Sequence, residues 1–409
     1  MAKKPNKIKY TWLSNAPNTN SGYAVFTRDL LFRLLKRGYD FSCIGFFGVD
    51  GYHTWMHGED LLDDRFKGTK LKVYPKMAEP YGGDALVEHS RHNGIQVAFT
   101  MLDLFSLAPQ YLENLTKLGI KFIPYLPIDQ EPVVPSILNN LRYAHKIITF
   151  SKFGQLALEK EGFASHMIYE GIDTSIFKPM DKNKMRSKFG IPQDGFVFGM
   201  VAANKENPPR KAFQQVLEAF KKFNDEHPNS YLFFHNQQQS PTMFPIADYA
   251  RYLKVTDKIM FMNSYAATFA SDSHVIAELI NSFDVYLNPS MTEGFGMGMI
   301  ESQACGVPPI GNRCHSMPEL VKEGKTGFIC ETDKGFWRNL NGYVYPPNVD
   351  SLYQKMEEAY KAVKKSRKKI ATAARKNVLD NYNIDTLVES QWMPFLSELE
   401  KELAEETNQ

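Results

Sequence analysis

"DVYLNPSMTEGFGMGMIESQACGVPPIGN", residues 284–312, decides the fold. "DVYLNPS" reads as a short apolar strand ending at Pro289, and the next stretch as a helix that begins near Gly296 or Met297 and stops at Gly306, before Pro308. "PPIGN" then reads as a second strand. A strand, a glycine-bearing turn, a helix and a strand make one βαβ unit, and open α/β sheets bind ligands at the carboxyl ends of such strands. The start of the helix offers unpaired N–H groups and a positive dipole end, so an anion can sit there without a basic side chain. Gly294, Gly296 and Gly298 alone serve a tight turn or close helix packing equally well, and their order is not the dinucleotide pattern GxGxxG. The flanking acids shift the reading. Glu293 precedes the anion position and Glu301 lies about one turn into the helix, so both face a ligand spanning the helix start. Carboxylates accept hydrogen bonds from sugar hydroxyls, including a ribose diol. A phosphate with hydroxyl-rich groups on both sides describes a nucleotide sugar.

The same alternation extends in both directions. "KIKYTWLSNAPNTNSGYAVFTRDLLFRLLKRGYDFSCIGFF" (7–47) predicts a strand, a polar loop, a helix with Tyr23, Phe26, Leu30, Leu31 and Leu34 on one face, a stop at Gly38 and a second strand. "GIQVAFTML", "IKFIPYLPI" and "HKIITFSKF" continue it. After a polar, Pro-containing stretch at 173–194, read as a linker, the pattern restarts with "GFVFGMVAAN" and the helix "RKAFQQVLEAFKKFNDEH". "SYLFFHN", "KIMFMN", "DVYLNPS" and "GFICE" supply further strands. Strands alternating with helices argue for parallel sheets covered on both faces. At 409 residues the chain is too long for one ordinary core, so two doubly wound α/β domains with a cleft between them are expected.

Bulk properties exclude several classes. A formal net charge of +2, with 43% hydrophobic and 23% charged residues, creates no field that selects nucleic acid or an anionic membrane. Cys43, Cys305, Cys314 and Cys330 form no CxxC pair, and their spacing suits free thiols in a reducing, cytoplasmic compartment. The N-terminus lacks the apolar run of a signal peptide, and nowhere do 18 apolar residues follow one another. "KAVKKSRKKIATAARKNVLDNY" (361–382) is basic and helical, with a sparse apolar face. Glu357, Glu358 and Asp380 dilute its charge and favour a solvated helix over anything more than weak peripheral membrane contact. The histidines form no HxH or HExxH pattern and no DxD pair follows a strand, so no metal is expected.

"NKENPPRKAF" (204–213) places Arg210 and Lys211 after the first strand of the second half, where two cations can neutralise a pyrophosphate. Asp103, in "FTMLDLF", stands at another strand end, where it binds acceptor hydroxyls or caps a helix, with capping the favoured reading.

With these motifs in place, the second half resembles the C-terminal domain of family 4 retaining glycosyltransferases (glycosyltransferase group 1). "EGFGMGMIESQACGVPP" is similar to that family's Glu-x7-Glu motif, "GIDTSIFKP" to its interdomain GVDxxxFxP, "LINSFDVYLNPS" to its A-D-x-x-x-x-P-S stretch and "RKAFQQVLEAF" to its KG-x-x-x-L-L-x-A-F helix. The resemblance covers residues 140–335 well and the N-terminal part more loosely. It implies an α/β GT-B architecture of two Rossmann-like domains facing a central cleft. The acceptor domain would span 1–175 and the donor domain 190–380, and a helical segment at 381–409 would pack back towards the N-terminal domain.

The implied activity is transfer, with retention, of a hexose from a UDP-, GDP- or ADP-sugar to an acceptor hydroxyl, without a tightly bound cofactor and without metal. Glu293 would meet the donor sugar and Glu301 the ribose, beside Ser290 and the backbone of Gly294, Phe295, Gly296, Met297 and Gly298. Lys211 matches the family's pyrophosphate lysine. Its usual partner arginine is absent near Asn204, and Arg210 stands in. "NAPNTNSGYAVF" takes the place of the first glycine-rich loop, which gives Gly22 a role beside the diphosphate or acceptor. Asp129, in "YLPIDQEP", takes the place of a histidine lining the donor-sugar site, or else belongs to a turn set by Pro127 and Pro132. The acceptor is not specified, and near-neutral charge speaks against duplex DNA. Two rivals stand beside this reading. One is a non-catalytic nucleotide-sugar-binding protein; the other is a Rossmann NAD(P)-dependent oxidoreductase, which would need GxGxxG after the first strand, where "SNAPNTNSGYA" stands instead.

Overall fold

Apolar, β-branched and aromatic runs between loops rich in Gly, Asn and Pro build two large sheets, one wholly parallel and one parallel but for an edge strand, in the computed structural model, which describes residues 7–407 other than 62, 237–242, 270 and 339–340. Two compact units result. The first takes the chain up to Ile128, Pro132–Gly171 and Ile384 onward; the second takes Asp129–Glu131 and Ile172–Asn383.

In the first unit β1 (Lys9–Ser14), β2 (Asp40–Gly45), β3 (Thr54–His57), β4 (Lys70–Pro75), β5 (Val97–Thr100), β6 (Lys121–Leu126), β7 (Ile148–Thr149) and β8 (His166–Met167) stand in the order β3-β4-β2-β1-β5-β6-β7-β8. β3 pairs antiparallel with β4; the others run parallel. The helix Gly22–Lys36 begins where Ser21 Oγ accepts from Ala24 N, and it ends before Gly38, whose φ of 91° lies in the left-handed region that glycine tolerates. The C-terminal helix Met393–Thr407 belongs to this unit. Phe395, Leu396 and Leu399 are buried, Trp392 packs edge-on against Tyr125, and Glu402 pairs with Lys146 at 2.7 Å.

The second unit has β9 (Phe196–Val201), β10 (Ser230–His235), β11 (Ile259–Phe261), β12 (Val285–Asn288), β13 (Pro309–Asn312) and β14 (Phe328–Cys330), all parallel, in the order β11-β10-β9-β12-β13-β14. This is the 3-2-1-4-5-6 order of a dinucleotide-type doubly wound sheet. A separate antiparallel hairpin, β15 (Phe336–Arg338) and β16 (Gly342–Val344), follows β14. Phe213, Val216, Leu217, Phe220 and Phe223 of the helix Phe213–Glu226 are all buried against the sheet, as their spacing dictates.

Two expectations need correction. The stretch 173–194 is not a plain linker: Lys182–Phe189 is a helix, capped by Asp181, with Arg186 only 1% exposed. Arg186 donates to the carbonyls of Ser282, Pro192 and Gly195 and to Asp284 Oδ2 at 2.7 Å. Burial opposes ionisation of Asp284, but Arg186, Lys182 and Arg367 outweigh it and hold its carboxyl below the ordinary range. One carboxylate at the entrance of β12 therefore ties this helix to the sheet. The basic stretch 361–382 presents the expected solvated face, with Lys364, Lys365, Lys368, Lys369 and Lys376 exposed, but its apolar face is not sparse. It spans a kink at Ser366 in Val349–Asn381 and buries Val363, Ile370, Ala374 and Val378, while Arg375 donates to the carbonyls of Ala304 and Thr174. Among the described residues no helix is long and apolar enough to cross a membrane. All four cysteines are free and buried.

Candidate functional site

β9 and β12 are neighbours in the second sheet although β10 and β11 separate them in the chain, so the strand order reverses at this pair. Doubly wound sheets bind their ligands at the carboxyl side of such a reversal. The loop after β9 delivers Arg210 and Lys211, and the loop after β12 delivers Ser290 to Glu293. They meet. Lys211 Nζ donates to Glu293 Oε1, and Arg210 Nη1 stands 3.5 Å from Glu293 Oε2 and donates to Thr292 O at 3.2 Å. Met291 N donates to Arg210 O at 2.7 Å, and Ser290 Oγ donates to Glu293 Oε1 at 2.8 Å. Burial works against the charge on Glu293, but Lys211 and then Arg210 more than offset it, and the carboxyl is pulled down to about 2. Burial likewise draws Lys211 below the usual lysine range, against the pull of Glu293. With side-chain exposures of 16% and 12%, the pair is only weakly screened by water, so either partner presented to a ligand acts strongly on it.

The helix Met297–Ala304 starts here, with Gly296 as its N-cap in the left-handed region at φ 114°. Gly306, at φ 76°, follows its C-terminus. Gly298 answers a packing demand: a Cβ there would lie 2.3 Å from Tyr286 Oη, and that hydroxyl donates to Val201 O at 3.1 Å. Gly298→Ala is therefore expected to lower stability by about 1–3 kcal/mol. An unchanged urea midpoint would show that the tyrosine contact does not constrain this position. The Tyr286 phenol is pushed up by burial and then by the charges of Glu301 and Glu293, so both carboxylates of the motif act on this one ring. Phe295 turns its ring into the core, 6.1 Å from that of Tyr382, leaving its backbone to the turn. Met297 is half-buried at the first helical position.

Asn204 is buried and holds a backbone: its amide donates to Phe244 O at 2.9 Å and accepts from Phe244 N at 3.0 Å. Asp129 is half-buried, and its carbonyl accepts from the Thr292 hydroxyl, next to Glu293. In the first unit the order reverses between β1 and β5. Gly22 opens the helix after β1, with no atom within 4 Å of where a Cβ would be, so packing does not require glycine there. Asp103 follows β5. It occupies an N-cap position without a side-chain capping bond; instead its carboxylate accepts from Tyr23 Oη at 3.0 Å, which corrects the capping expectation.

Sequence reasoning missed the loop after β13. Ser316 Oγ lies 3.0 Å from Glu293 O and 2.8 Å from Phe295 O, and so braces the glycine turn, while Cys314 Sγ faces the carbonyls of Ser290 and Met291. Between them His315 adopts φ 49°. Burial pushes its imidazole down to about 4, against the charges of Glu131 and Glu293. Position at a strand's carboxyl end was the one available signal. Away from the site, Glu226, His227 and Glu357 cluster closely enough to hold a cation, and His227 Nε2 lies 2.6 Å from Glu357 Oε1.

Residues 181–335 match the family described as "Glycosyl transferases group 1". Among curated proteins, the N-acetyl-alpha-D-glucosaminyl L-malate synthase of Bacillus anthracis is 26% identical over 221 residues, 54% of this chain and 49% of that protein. A D-inositol 3-phosphate glycosyltransferase of Acidothermus cellulolyticus is 27% identical over 168 residues, 39% of this chain and 36% of its own length. The chain thus spans half or less of these relatives. Among solved structures, a glycosyltransferase from Rickettsia africae superposes with a TM-score of 0.71 at 18% identity, covering 96% of this chain and 99% of its own. Anabaena Alr3699/HepE in complex with UDP and glucose gives 0.70 at 17% identity, covering 96% and 100%. At such identities the likeness is one of fold.

Proposed function

We propose that this chain of two Rossmann-like units, whose residues 181–335 match the group 1 glycosyl transferases, transfers a hexose, with retention, from a nucleotide diphosphate sugar to an acceptor hydroxyl. The observation that carries this reading is the part-buried Lys211–Glu293 pair, set at the strand-order reversal on the turn that leads into the helix Met297–Ala304. Cations and a helix start suit a diphosphate, and carboxylates three residues before the N-cap and about one turn into the helix suit hydroxyls. That the Anabaena relative holds UDP and glucose on the same fold agrees with it.

In this mechanism the donor's diphosphate displaces Glu293 from Lys211 and Arg210, and the freed carboxylate accepts from the sugar hydroxyls. Glu301 takes the ribose diol. The bond between the anomeric carbon and the phosphate oxygen breaks with its electron pair going to the phosphate, and the acceptor oxygen bonds to the same face of that carbon. The acceptor's proton passes to the departing phosphate oxygen, so no protein nucleophile is needed. Lys211, Arg210 and the helix N–H groups stabilise the charge that develops on the phosphate. Gly22 and Asp103 lie at the strand-order reversal of the first sheet, where a doubly wound sheet binds a ligand of its own, and the acceptor is assigned to that position. Asp129, held beside Thr292, would border the sugar.

A thermal-shift series with UDP, GDP and ADP tests the donor half. One nucleotide is expected to stabilise the protein by about 2.7 kcal/mol at a hundred times its Kd. Absence of any shift with all three at millimolar concentration would overturn the nucleotide-sugar assignment.

A further inference from the structure

The β15–β16 hairpin lies outside the machinery described above, yet it is built onto it. Its residues alternate, so one face carries Val344 and the other Trp337, Tyr343 and, two residues on, Tyr345. Val344 is fully buried against Ala212 and Met291, the neighbours of Lys211 and Thr292. Arg338 extends to Glu206, the residue that also stands 3.9 Å from Arg210, and Tyr345 N donates to Met291 O at 3.0 Å. The opposite face is aromatic and open. Trp337 and Tyr343 are cross-strand partners with ring centroids 5.1 Å apart and exposures of 51% and 43%. Tyr343 and Tyr345 follow at 6.5 Å with near-parallel rings, and Tyr345 and His315 at 5.6 Å. A row of rings therefore leads from solvent to the loop that braces Glu293.

Exposed aromatics set in a row are uncommon on a surface with no binding role. Their charge setting limits the occupant. Residues 331–345, "ETDKGFWRNLNGYVY", hold two acids and two bases, so their formal charge is zero, and Arg338 is paired with Glu206. A polyanion tracked by its phosphates needs a basic groove beside the rings. A neutral sugar chain does not: its C–H faces lie on aromatic rings while its hydroxyls stay in water.

We infer that the acceptor is a saccharide, or carries one, and that the outer face of the hairpin binds it as a neutral oligosaccharide stacked on Trp337 and Tyr343, its end directed along the row toward the Glu293 turn. This rests on the glycosyl-transfer reading above. Binding of fluorescently labelled full-length protein to an array of neutral oligosaccharides tests it, with UDP thermal shift measured on the same samples. The wild type should bind at least one glycan class, and Trp337→Ala and Tyr343→Ala should each weaken that binding at least tenfold with the UDP shift unchanged. Phe is expected to rescue position 343, because the ring carries the contact. A blank array, equal glycan binding by the alanine variants, loss of the UDP shift in the variants, or preferential binding of a single-stranded oligonucleotide would each overturn it. If the wild type shows no nucleotide shift at all, the donor reading has failed instead, which the separate UDP measurement distinguishes.

Discussion

Glu293→Gln is expected to lower kcat for sugar transfer by about 10²–10³-fold, because a misplaced sugar loses the geometry that the reaction needs. UDP affinity should rise rather than fall, since the nucleotide contacts lie on Lys211, Arg210, Glu301 and the helix start and the diphosphate no longer has to displace a carboxylate from the two cations. The substitution keeps the size of the side chain but removes the charge that Lys211 faces, so a stability effect accompanies it. The folded-state carboxyl sits at about 2, below its unfolded value, so its contribution is full above the ordinary glutamate range and lost as pH falls toward 2. It amounts to about 3 kcal/mol. Urea titrations of wild type and variant should therefore differ at pH 7 and converge near pH 2. A variant that turns over at the wild-type rate removes Glu293 from the sugar site.

Lys211→Met is expected to have an effect of similar size from the other side of the pair. It removes a charge that stabilises the departing diphosphate, a loss on the order of 3 kcal/mol in the barrier. It also leaves the part-buried Glu293 carboxylate with Arg210 and Ser290 beside it, and breaking the pair is expected to lower stability by up to about 3 kcal/mol. The double variant Lys211→Met/Glu293→Gln separates the two. It should recover much of the stability, because no uncompensated charge remains, and none of the activity. If the double variant is active, the pair is structural only.

The sequence displayed most of the second sheet, because each strand is a short apolar run and each helix a clear amphipathic period. It did not display the Lys211–Glu293 pair: the resemblance gives the two residues separate roles at the donor, they are 82 positions apart, and only the strand order brings them together. The helix Lys182–Phe189 was hidden because its sequence, "KNKMRSKF", has little apolar face; a buried arginine and Asp284 hold it instead. Asp103 looked like a cap because its partner, Tyr23, comes from a distant helix. The glycines were ambiguous for a physical reason that persists in the structure: Gly296 serves backbone geometry, Gly298 serves the Tyr286 contact, and both also shape the helix start. The three-residue strands of the hairpin in "KGFWRNLNGYVY" leave no period long enough to read.

The most direct test of the central claim is release of nucleoside diphosphate from UDP-glucose, UDP-N-acetylglucosamine, GDP-mannose and ADP-glucose by the wild-type protein beside Glu293→Gln, with and without the glycan selected on the array. The account predicts slow release from at least one donor, acceleration by the glycan, and a loss of about 10²-fold or more in the variant. Release from none of the donors, or equal release by wild type and variant, would contradict it.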